Sequence, residues 1–149
     1  MQIAINLSID NVRAGGGPFG AVVVRDGRIL ATGVNRVTAT CDPTAHAEVS
    51  AIRAACAAEG AFKLPGATIY SSCEPCPMCL SAIYWAGIGR LFYGNTKDDA
   101  RAIDFDDSFI YDQLSLPAEK RSVLTRRLMG AEAIGAFRIW EHSTDKIPY

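Results

Sequence analysis

Three closely spaced cysteines and one upstream histidine carry most of the chemistry that this sequence could support. Cys73, Cys76 and Cys79 lie in the segment S-S-C-E-P-C-P-M-C-L, with two residues between each pair. His46 lies in T-A-H-A-E-V, two positions before Glu48. Thiolate sulfur and imidazole nitrogen are the ligands that zinc prefers in proteins. The segment therefore predicts a metal site and leaves open which cysteines belong to it.

The elements expected to position these side chains are two helix starts. Cys76 and Cys79 are three residues apart near the beginning of a helix that we predict from Pro75, so they face the same side. Free backbone N–H groups and the helix dipole at that end favour thiolate over thiol. His46 lies near the start of a second predicted helix, Thr44–Glu59, for which Thr44 is the expected N-cap.

Glu48 and the remaining cysteines have different expected roles. On a helix, positions i and i+2 point to different sides, so Glu48 should not bind the same metal as His46 in the same way. Three protein ligands would leave a fourth position for water, which is typical of catalytic zinc. Glu48 could then act on that water as a proton carrier. Cys73, Cys41 and Cys56 are interpreted as packing residues.

Three other kinds of site compete with this interpretation. A ferredoxin-type cluster would need a fourth cysteine where Ile83 stands. A redox C-x-x-C pair would leave His46 without a role. A closed structural zinc site in a protein-interaction module would use Cys73 as its fourth ligand.

The hydrophobic pattern predicts an α/β domain with a mixed central sheet of about five strands and helices on both faces. Asp26-Gly27 between two apolar runs is a strong hairpin signal. An N-terminal helix is indicated by apolar residues from Ile3 to Val12, and a C-terminal helix by residues Ala131–His142. The predicted strands are Phe19–Arg25, Arg28–Val34, Thr68–Ser72, Arg90–Gly94 and, with a weaker pattern, Val123–Leu128.

Composition narrows the functional classes. The 149 residues are 49% hydrophobic with a formal net charge of -1, which fits one domain over residues 1–149 and argues against a nucleic-acid-binding protein. Five cysteines, an odd number, favour a reducing compartment over a disulfide framework. No basic signal segment and no apolar run of roughly 20 residues is present. We therefore expect a cytoplasmic protein without a membrane partner.

The order H-x-E followed by P-C-x-x-C is the signature of zinc deaminases. P-T-A-H-A-E-V and C-E-P-C-P-M-C-L-S-A-I-Y-W-A resemble the cytidine deaminase superfamily, and within its purine-base branch the bacterial guanine deaminases. The likeness continues through G-P-F-G-A-V-V-V, the Asn35 segment, F-D-D-S-F-I-Y at Phe105–Tyr111 and the terminal I-P-Y. It implies a three-layer α/β/α cytidine deaminase-like fold with one Zn²⁺ per subunit.

The same resemblance implies roles for individual residues. The expected zinc ligands are His46, Cys76 and Cys79, with Glu48 as proton shuttle and Asp107 as a second catalytic acid. The residues expected to bind the purine are Asn35, Phe19, Trp85 and Tyr149. In related enzymes the C-terminal segment crosses to a second subunit, so Tyr149 would reach a site only in a homodimer with exchanged C-termini.

The implied reaction is hydrolytic deamination of guanine, a small-molecule purine base, to xanthine and ammonia in purine salvage or catabolism. Guanosine or another aminated heterocycle is an alternative substrate for the same site. Deamination of cytosine or of adenosine in tRNA uses the same zinc motif and is disfavoured. A basic cluster formed by Lys120, Arg121, Arg126 and Arg127 could touch phosphate, but the near-neutral net charge argues against a nucleic-acid partner.

Overall fold

A β-hairpin forms the centre of the N-terminal part of the protein, as the Asp26-Gly27 pair predicts. The computed structural model describes residues 1–148. Strands β1 (Gly20–Arg25) and β2 (Arg28–Val34) pair antiparallel. Asp26 and Gly27 both have positive φ, 51° and 74°, as a two-residue turn that matches the strand twist requires.

Two further strands complete a four-stranded mixed sheet. Strand β3 (Thr68–Cys73) pairs antiparallel with β1, and β4 (Arg90–Asn95) pairs parallel with β3, giving the order β2-β1-β3-β4. The sequence predicted about five strands, and that number is wrong by one. Val123–Leu128, the weakest predicted strand, contains no regular secondary structure. Its apolar side chains are exposed, with Leu124 at 79% and Leu128 at 78%, so they lack the packing that stabilises a strand.

The helices of this part of the chain are α1 (Gln2–Arg13), α2 (Val37–Thr40), α3 (Ala47–Glu59), α4 (Pro77–Trp85) and α5 (Lys97–Arg101). Of these helices, α1 and α3 pack on the sheet and α4 packs against α3. Helix α3 begins later than expected, because His46 is its N-cap residue. The hydroxyl and N–H of Thr44 instead donate to Asp42, at 2.7 and 2.8 Å, so the prediction that Thr44 caps the helix is wrong.

The two faces of the sheet are identified by two glycines against which helices lie in close contact. A Cβ on Gly20 would overlap the Ala4 carbonyl of α1, and a Cβ on Gly33 would overlap the Ala47 carbonyl of α3. Gly33 pairs with Ala21, the neighbour of Gly20 on β1. Successive strand residues point to opposite faces. Helices α1 and α3 therefore cover opposite faces, which confirms the predicted α/β/α layering.

The core lies mainly between the sheet and the helix pair α3 and α4. Its fully buried side chains include Val23, Leu64 and Ile69, packed with alanines on the inner face of α3. Small residues on α3 allow this close approach to β1 and β2. Apolar packing on this face fixes the start of α3 relative to the start of α4, where the candidate ligands lie.

Two compact units divide the chain, one from Met1 to Asp107 and a second from Ser108 onward. The second unit contains α6 (Ser108–Ser115), a 3-10 turn (Ala118–Lys120) and α7 (Gly130–His142). The C-terminal helix is confirmed within one residue of its predicted start. No helix in residues 1–148 is long and apolar enough to cross a membrane.

Candidate metal centre and active site

The start of α3 and the start of α4 meet at one point, and each contributes its N-cap residue. His46 precedes α3 with φ −70° and ψ 159°, and Cys76 precedes α4 with φ −63° and ψ 168°. Pro77 occupies the first turn of α4, where its missing N–H is not needed. Cys79, one turn further along, faces the same side as Cys76. The predicted geometry of two helix starts is therefore present.

The three side chains are spaced as a metal ion requires. Nδ1 of His46 lies 3.6 Å from Sγ of Cys76 and 3.5 Å from Sγ of Cys79, and the two sulfurs are 3.6 Å apart. Tetrahedral zinc with bonds of ~2.3 Å to sulfur and ~2.0 Å to nitrogen separates such atoms by about 3.5 to 3.8 Å. Donor types and spacing thus fit one zinc ion.

The electrostatics of the triad favour loss of a proton. The hydrogen bonds that the Cys76 sulfur shares with Cys79 and His46 lower the pKa of Cys76 well below that of an ordinary thiol. The hydrogen bond between His46 and Cys76 also raises the pKa of His46. The pKa of Cys79 is raised because its sulfur shares one proton with the sulfur of Cys76. The helix N-termini add favourable N–H dipoles for thiolate. Binding of a divalent cation would displace the shared proton.

Cys73 lies outside this triad. Among the described residues, the group of ligand atoms close enough to share a metal ion consists of His46, Cys76 and Cys79. Cys73 is 4% exposed, and its Sγ donates to the Thr96 carbonyl at 3.6 Å. Burial raises the pKa of its thiol to about 11. These observations favour the predicted packing role over a fourth ligand.

Glu48 lies in the first turn of α3 and is 5% exposed. Its Oε1 accepts a hydrogen bond of 2.9 Å from Oγ of Ser71, a β3 residue that is 1% exposed. Burial raises the pKa of the Glu48 carboxyl, as expected where a charge loses its hydration. A buried carboxylate beside a metal triad is suited to holding and moving a proton. Sequence reasoning missed Ser71, whose one signal was a hydroxyl in an otherwise buried strand.

Asp107 is the last residue of the first unit and is partly buried. Burial raises the pKa of its carboxyl, and the negative charge of Cys76 raises it further. Two residues earlier, Phe105 packs edge-to-face on Phe19, with ring centroids 4.9 Å apart. This aromatic pair ties the Asp107 segment to the start of β1. Asp107 thus lies close enough to Cys76 for its pKa to respond to that charge, and Phe19 is joined to the Asp107 segment through Phe105, a contribution that sequence reasoning missed.

Asn35 follows β2 and is 8% exposed. Its N–H donates to the Phe19 carbonyl at 3.2 Å, and its Oδ1 accepts from the Val37 N–H at 3.3 Å. The N–H of the next residue, Arg36, donates to the Ala45 carbonyl at 2.9 Å, immediately before the ligand histidine. The backbone therefore joins the residue after Asn35 to the segment that leads into His46.

Two predicted site residues are not brought to this place by the described part of the chain. Trp85 lies at the end of α4, about two turns beyond Cys79, and is 65% exposed. Together with Ser81 and Tyr84 it lines an open surface depression. Tyr149 lies outside the residues that the structure describes.

Comparison with known proteins agrees with this geometry. Residues 1–95 match the family described as "Cytidine and deoxycytidylate deaminase zinc-binding region". The chain is 49% identical over its full length to a guanine deaminase of Bacillus subtilis, covering 96% of that protein. It is 48% identical over 87 residues to a tRNA-specific adenosine deaminase of Agrobacterium fabrum, a match that covers 58% of the chain.

A solved structure gives the same result in three dimensions. The X-ray structure of guanine deaminase from Bacillus subtilis superposes with a TM-score of 0.96 at 48% identity, covering 99% of this chain and 95% of that one. The zinc-ligand geometry and these matches lead to one assignment. The chain belongs to the cytidine and deoxycytidylate deaminase family of zinc enzymes.

Proposed function

We propose that this protein catalyses the hydrolytic deamination of guanine to xanthine and ammonia, a reaction of purine metabolism. The observation that carries the proposal is the extent of the similarity. The match to a guanine deaminase runs over the whole chain, whereas that to a tRNA-specific deaminase covers 58% of it. The part outside the family model, after residue 95, contains F-D-D-S-F-I-Y with Asp107. Residues outside the general zinc motif are therefore available to select guanine as the substrate.

The metal centre supplies the nucleophile in this proposal. His46, Cys76 and Cys79 would hold the zinc ion. When bound, zinc lowers the pKa of water towards neutrality and so provides hydroxide at physiological pH. The sheet and the α3–α4 pair hold the three ligands in place before substrate arrives, so little reorganisation is needed during the reaction.

The side chains around the triad carry the protons. Glu48 would take a proton from the attacking water and deliver it to N3 of guanine, next to the C2 carbon under attack. Glu48 would then take the proton of the new C2 hydroxyl and, together with Asp107, pass it to the C2 amine, so that the C2–N bond breaks, ammonia leaves and the C2 carbonyl of xanthine forms. Burial favours the protonated form of both carboxyls, as a group that donates a proton near neutral pH requires.

Asn35 and Phe19 would bind the base. The Asn35 Oδ1 is turned towards the Val37 N–H, which leaves its NH2 group to donate to an acceptor on the purine edge. The Phe19 ring offers an apolar surface to the flat base. These contacts hold the base in the pocket without taking part in the proton transfers, so their loss is expected to appear chiefly in KM.

A substrate panel tests the proposal. Zinc-loaded protein is given guanine, guanosine, cytosine, cytidine, adenine, adenosine and an adenosine-containing tRNA, and ammonia release is measured. We expect guanine to give the largest kcat/KM by at least about tenfold, which corresponds to about 1.4 kcal/mol, the upper range for one net hydrogen bond. A Glu48→Gln protein purified in parallel controls for contaminating activity. Absence of guanine turnover would overturn the proposal, and faster turnover of guanosine would replace the base with its nucleoside.

We also propose that the active form is a homodimer in which C-terminal segments are exchanged. No described residue of α7 is buried, and its apolar side chains are largely exposed, with Phe137 at 72% and Ile139 at 76%. Tyr84 and Trp85 on α4 are likewise exposed, at 75% and 65%. Apolar surface of this extent favours a protein partner. In such a dimer Tyr149 would reach the base pocket of the other subunit.

Subunit mixing tests this exchange. Glu48→Gln protein and protein lacking Tyr149 should each be inactive alone. In a swapped dimer, the hybrid combines an intact Glu48 from one chain with Tyr149 from the other, so unfolding and refolding the mixture should restore about 25% of wild-type activity. Hybrid formation is followed with an affinity tag on one chain. Isolated hybrids without activity, or full activity after removal of Tyr149, would contradict the exchange.

We place the protein in the cytoplasm. The five cysteines are all free thiols, and two of them, Cys76 and Cys79, must stay reduced to bind zinc. A reducing compartment meets that requirement.

A further inference from the structure

Asn35 is held by groups from several parts of the chain. Its N–H donates to Phe19, its side-chain oxygen accepts from Val37, and its own carbonyl accepts a hydrogen bond of 2.9 Å from Nδ2 of Asn11. The first two contacts belong to the strand end and the turn that follow from local sequence. The third comes from a helix 24 residues away.

Asn11 lies on the face of α1 that turns towards the sheet. Ala4, one turn before Leu7 and two before Asn11, is fully buried, while Ile9 and Val12 are 44% and 50% exposed. Several of the apolar residues from which α1 was predicted are therefore exposed to solvent. The face of α1 that packs against the sheet contains small and polar residues instead. An amide on this inner face needs hydrogen-bond partners from the rest of the protein.

Both N–H groups of the Asn11 amide are used in bonds to separate loops. Nδ2 donates to the Gly17 carbonyl at 2.8 Å and to the Asn35 carbonyl at 2.9 Å. An amide nitrogen carries two hydrogens, so these two bonds use its full donor capacity. One side chain thus joins the glycine-rich loop after α1 to the end of β2.

The glycine-rich loop is shaped to both amides. A Cβ on Gly16 would overlap the Asn11 side chain, and a Cβ on Gly17 would lie 3.2 Å from Cγ and Oδ1 of Asn35. The segment G-G-G-P therefore packs closely against the side chain that makes the crosslink and against the side chain that is to bind the base. This fit is a second, independent observation that the three segments form one structure.

We propose that Asn11 is a positioning residue for base recognition, which fixes Asn35 by joining its carbonyl to α1 and to the Gly17 loop. The inference rests on the proposed function in one respect, the binding of the purine by Asn35. Asn11 itself does not touch the substrate. It removes freedom that Asn35 would otherwise lose on binding, so it contributes to affinity through preorganisation.

The test compares Asn11→Leu, which keeps the side-chain size and removes both donors, with Asn6→Ala on the same helix. Asn6 is exposed and bonds only to Gln2 among the described residues, by a bond of 3.0 Å. We expect Asn11→Leu to raise KM about 10- to 30-fold with kcat within about threefold, as for lost uniform binding, and Asn6→Ala to change neither. Zinc content should equal that of wild type in both variants.

A double-mutant cycle separates positioning from general damage. In an Asn35→Ala background, Asn11→Leu should raise KM by less than about twofold, because the residue that it positions no longer contacts the base. A full effect of Asn11→Leu in that background, or a fall in kcat with unchanged KM, would overturn the proposal. So would an unchanged KM in the single variant.

A further readout does not depend on activity. Hydrogen exchange at the Asn35 N–H, which bonds to Phe19, should accelerate at least about tenfold in Asn11→Leu and stay unchanged in Asn6→Ala. If another amine of the panel is the substrate instead of guanine, the proposed function is wrong. The role of Asn11 is then tested by running the double-mutant cycle with that amine. If no amine is turned over, the exchange rate alone decides: unchanged exchange at Asn35 would overturn the role of Asn11.

Discussion

Replacing Glu48 by glutamine is expected to lower kcat about 10³- to 10⁴-fold while the protein stays folded and keeps one zinc per chain. Glutamine preserves the size of the side chain and its carbonyl oxygen, which can still accept the 2.9 Å hydrogen bond from Ser71. It cannot take up and release a proton near neutral pH. General acid–base catalysis of this kind contributes about 10²- to 10⁴-fold in enzymes, and here one group serves several proton transfers.

The position of Glu48 explains why zinc should remain. His46 and Glu48 are two residues apart at the start of α3, and the described metal triad contains His46 but not Glu48. The variant therefore removes the proton carrier without removing a ligand. Metal analysis and steady-state kinetics on the same preparation check both halves of this expectation.

A matched control comes from a glutamate remote from the triad in sequence. Glu132→Gln changes an exposed residue in the first turn of α7 and should leave kcat within about twofold, since surface changes of this kind have small effects. Rates near wild type for Glu48→Gln would remove the proposed mechanism. Loss of zinc from that variant would instead make Glu48 part of the metal site.

The parts of this structure that depend on residues adjacent in the chain could be predicted from the sequence. The hairpin could be predicted because Asp26 and Gly27 adopt positive φ within a two-residue turn. The two helices could be predicted from an alanine-rich segment that ends at Gly60 and from the proline at position 75, although they begin a few residues later than expected, at Ala47 and Pro77. The resemblance to a known family then predicted that His46 and Cys76 bind the same metal ion although they are far apart in the chain.

The contacts that could not be predicted join distant segments without a local pattern. The N-terminal helix was predicted from apolar residues that include Ile9 and Val12, yet α1 packs through Ala4 and Asn11 instead. Ser71 occupies a strand position whose partner, Glu48, lies on a helix 23 residues earlier. Burial forces such polar pairs to form, but the pairing depends on which faces meet.

Replacing Cys76 by serine is expected to remove zinc and abolish activity, whereas replacing Cys73 by serine should retain both. Cys76 lies 3.6 Å from both other members of the triad. Serine is shorter than cysteine, and its hydroxyl stays protonated where a thiol ionises, so the site would lose one of three protein ligands. Because changes to groups that only orient ligands already cost 10- to 100-fold in metal affinity, we expect a larger loss here.

Cys73 is a close control because it lies three residues away in the same segment. Its side chain is buried, and its thiol donates to the Thr96 carbonyl. With a pKa raised to about 11 by burial, it is a neutral thiol at pH 7 and not the thiolate that binds zinc. Serine can make the same hydrogen bond, so the cost should be about 1 kcal/mol of folding stability, from placing a more polar group in the core.

Zinc content after dialysis against a chelator, measured with ammonia release, distinguishes an open catalytic site from a closed structural one. If the site is open with three ligands, Cys73→Ser should hold about one zinc per chain and keep its activity within about threefold of wild type. Cys76→Ser should then have neither zinc nor activity. A closed four-ligand site would lose its zinc in both variants. Loss of zinc from Cys73→Ser would therefore make the metal centre structural, and the deaminase mechanism would have no position at which water could bind.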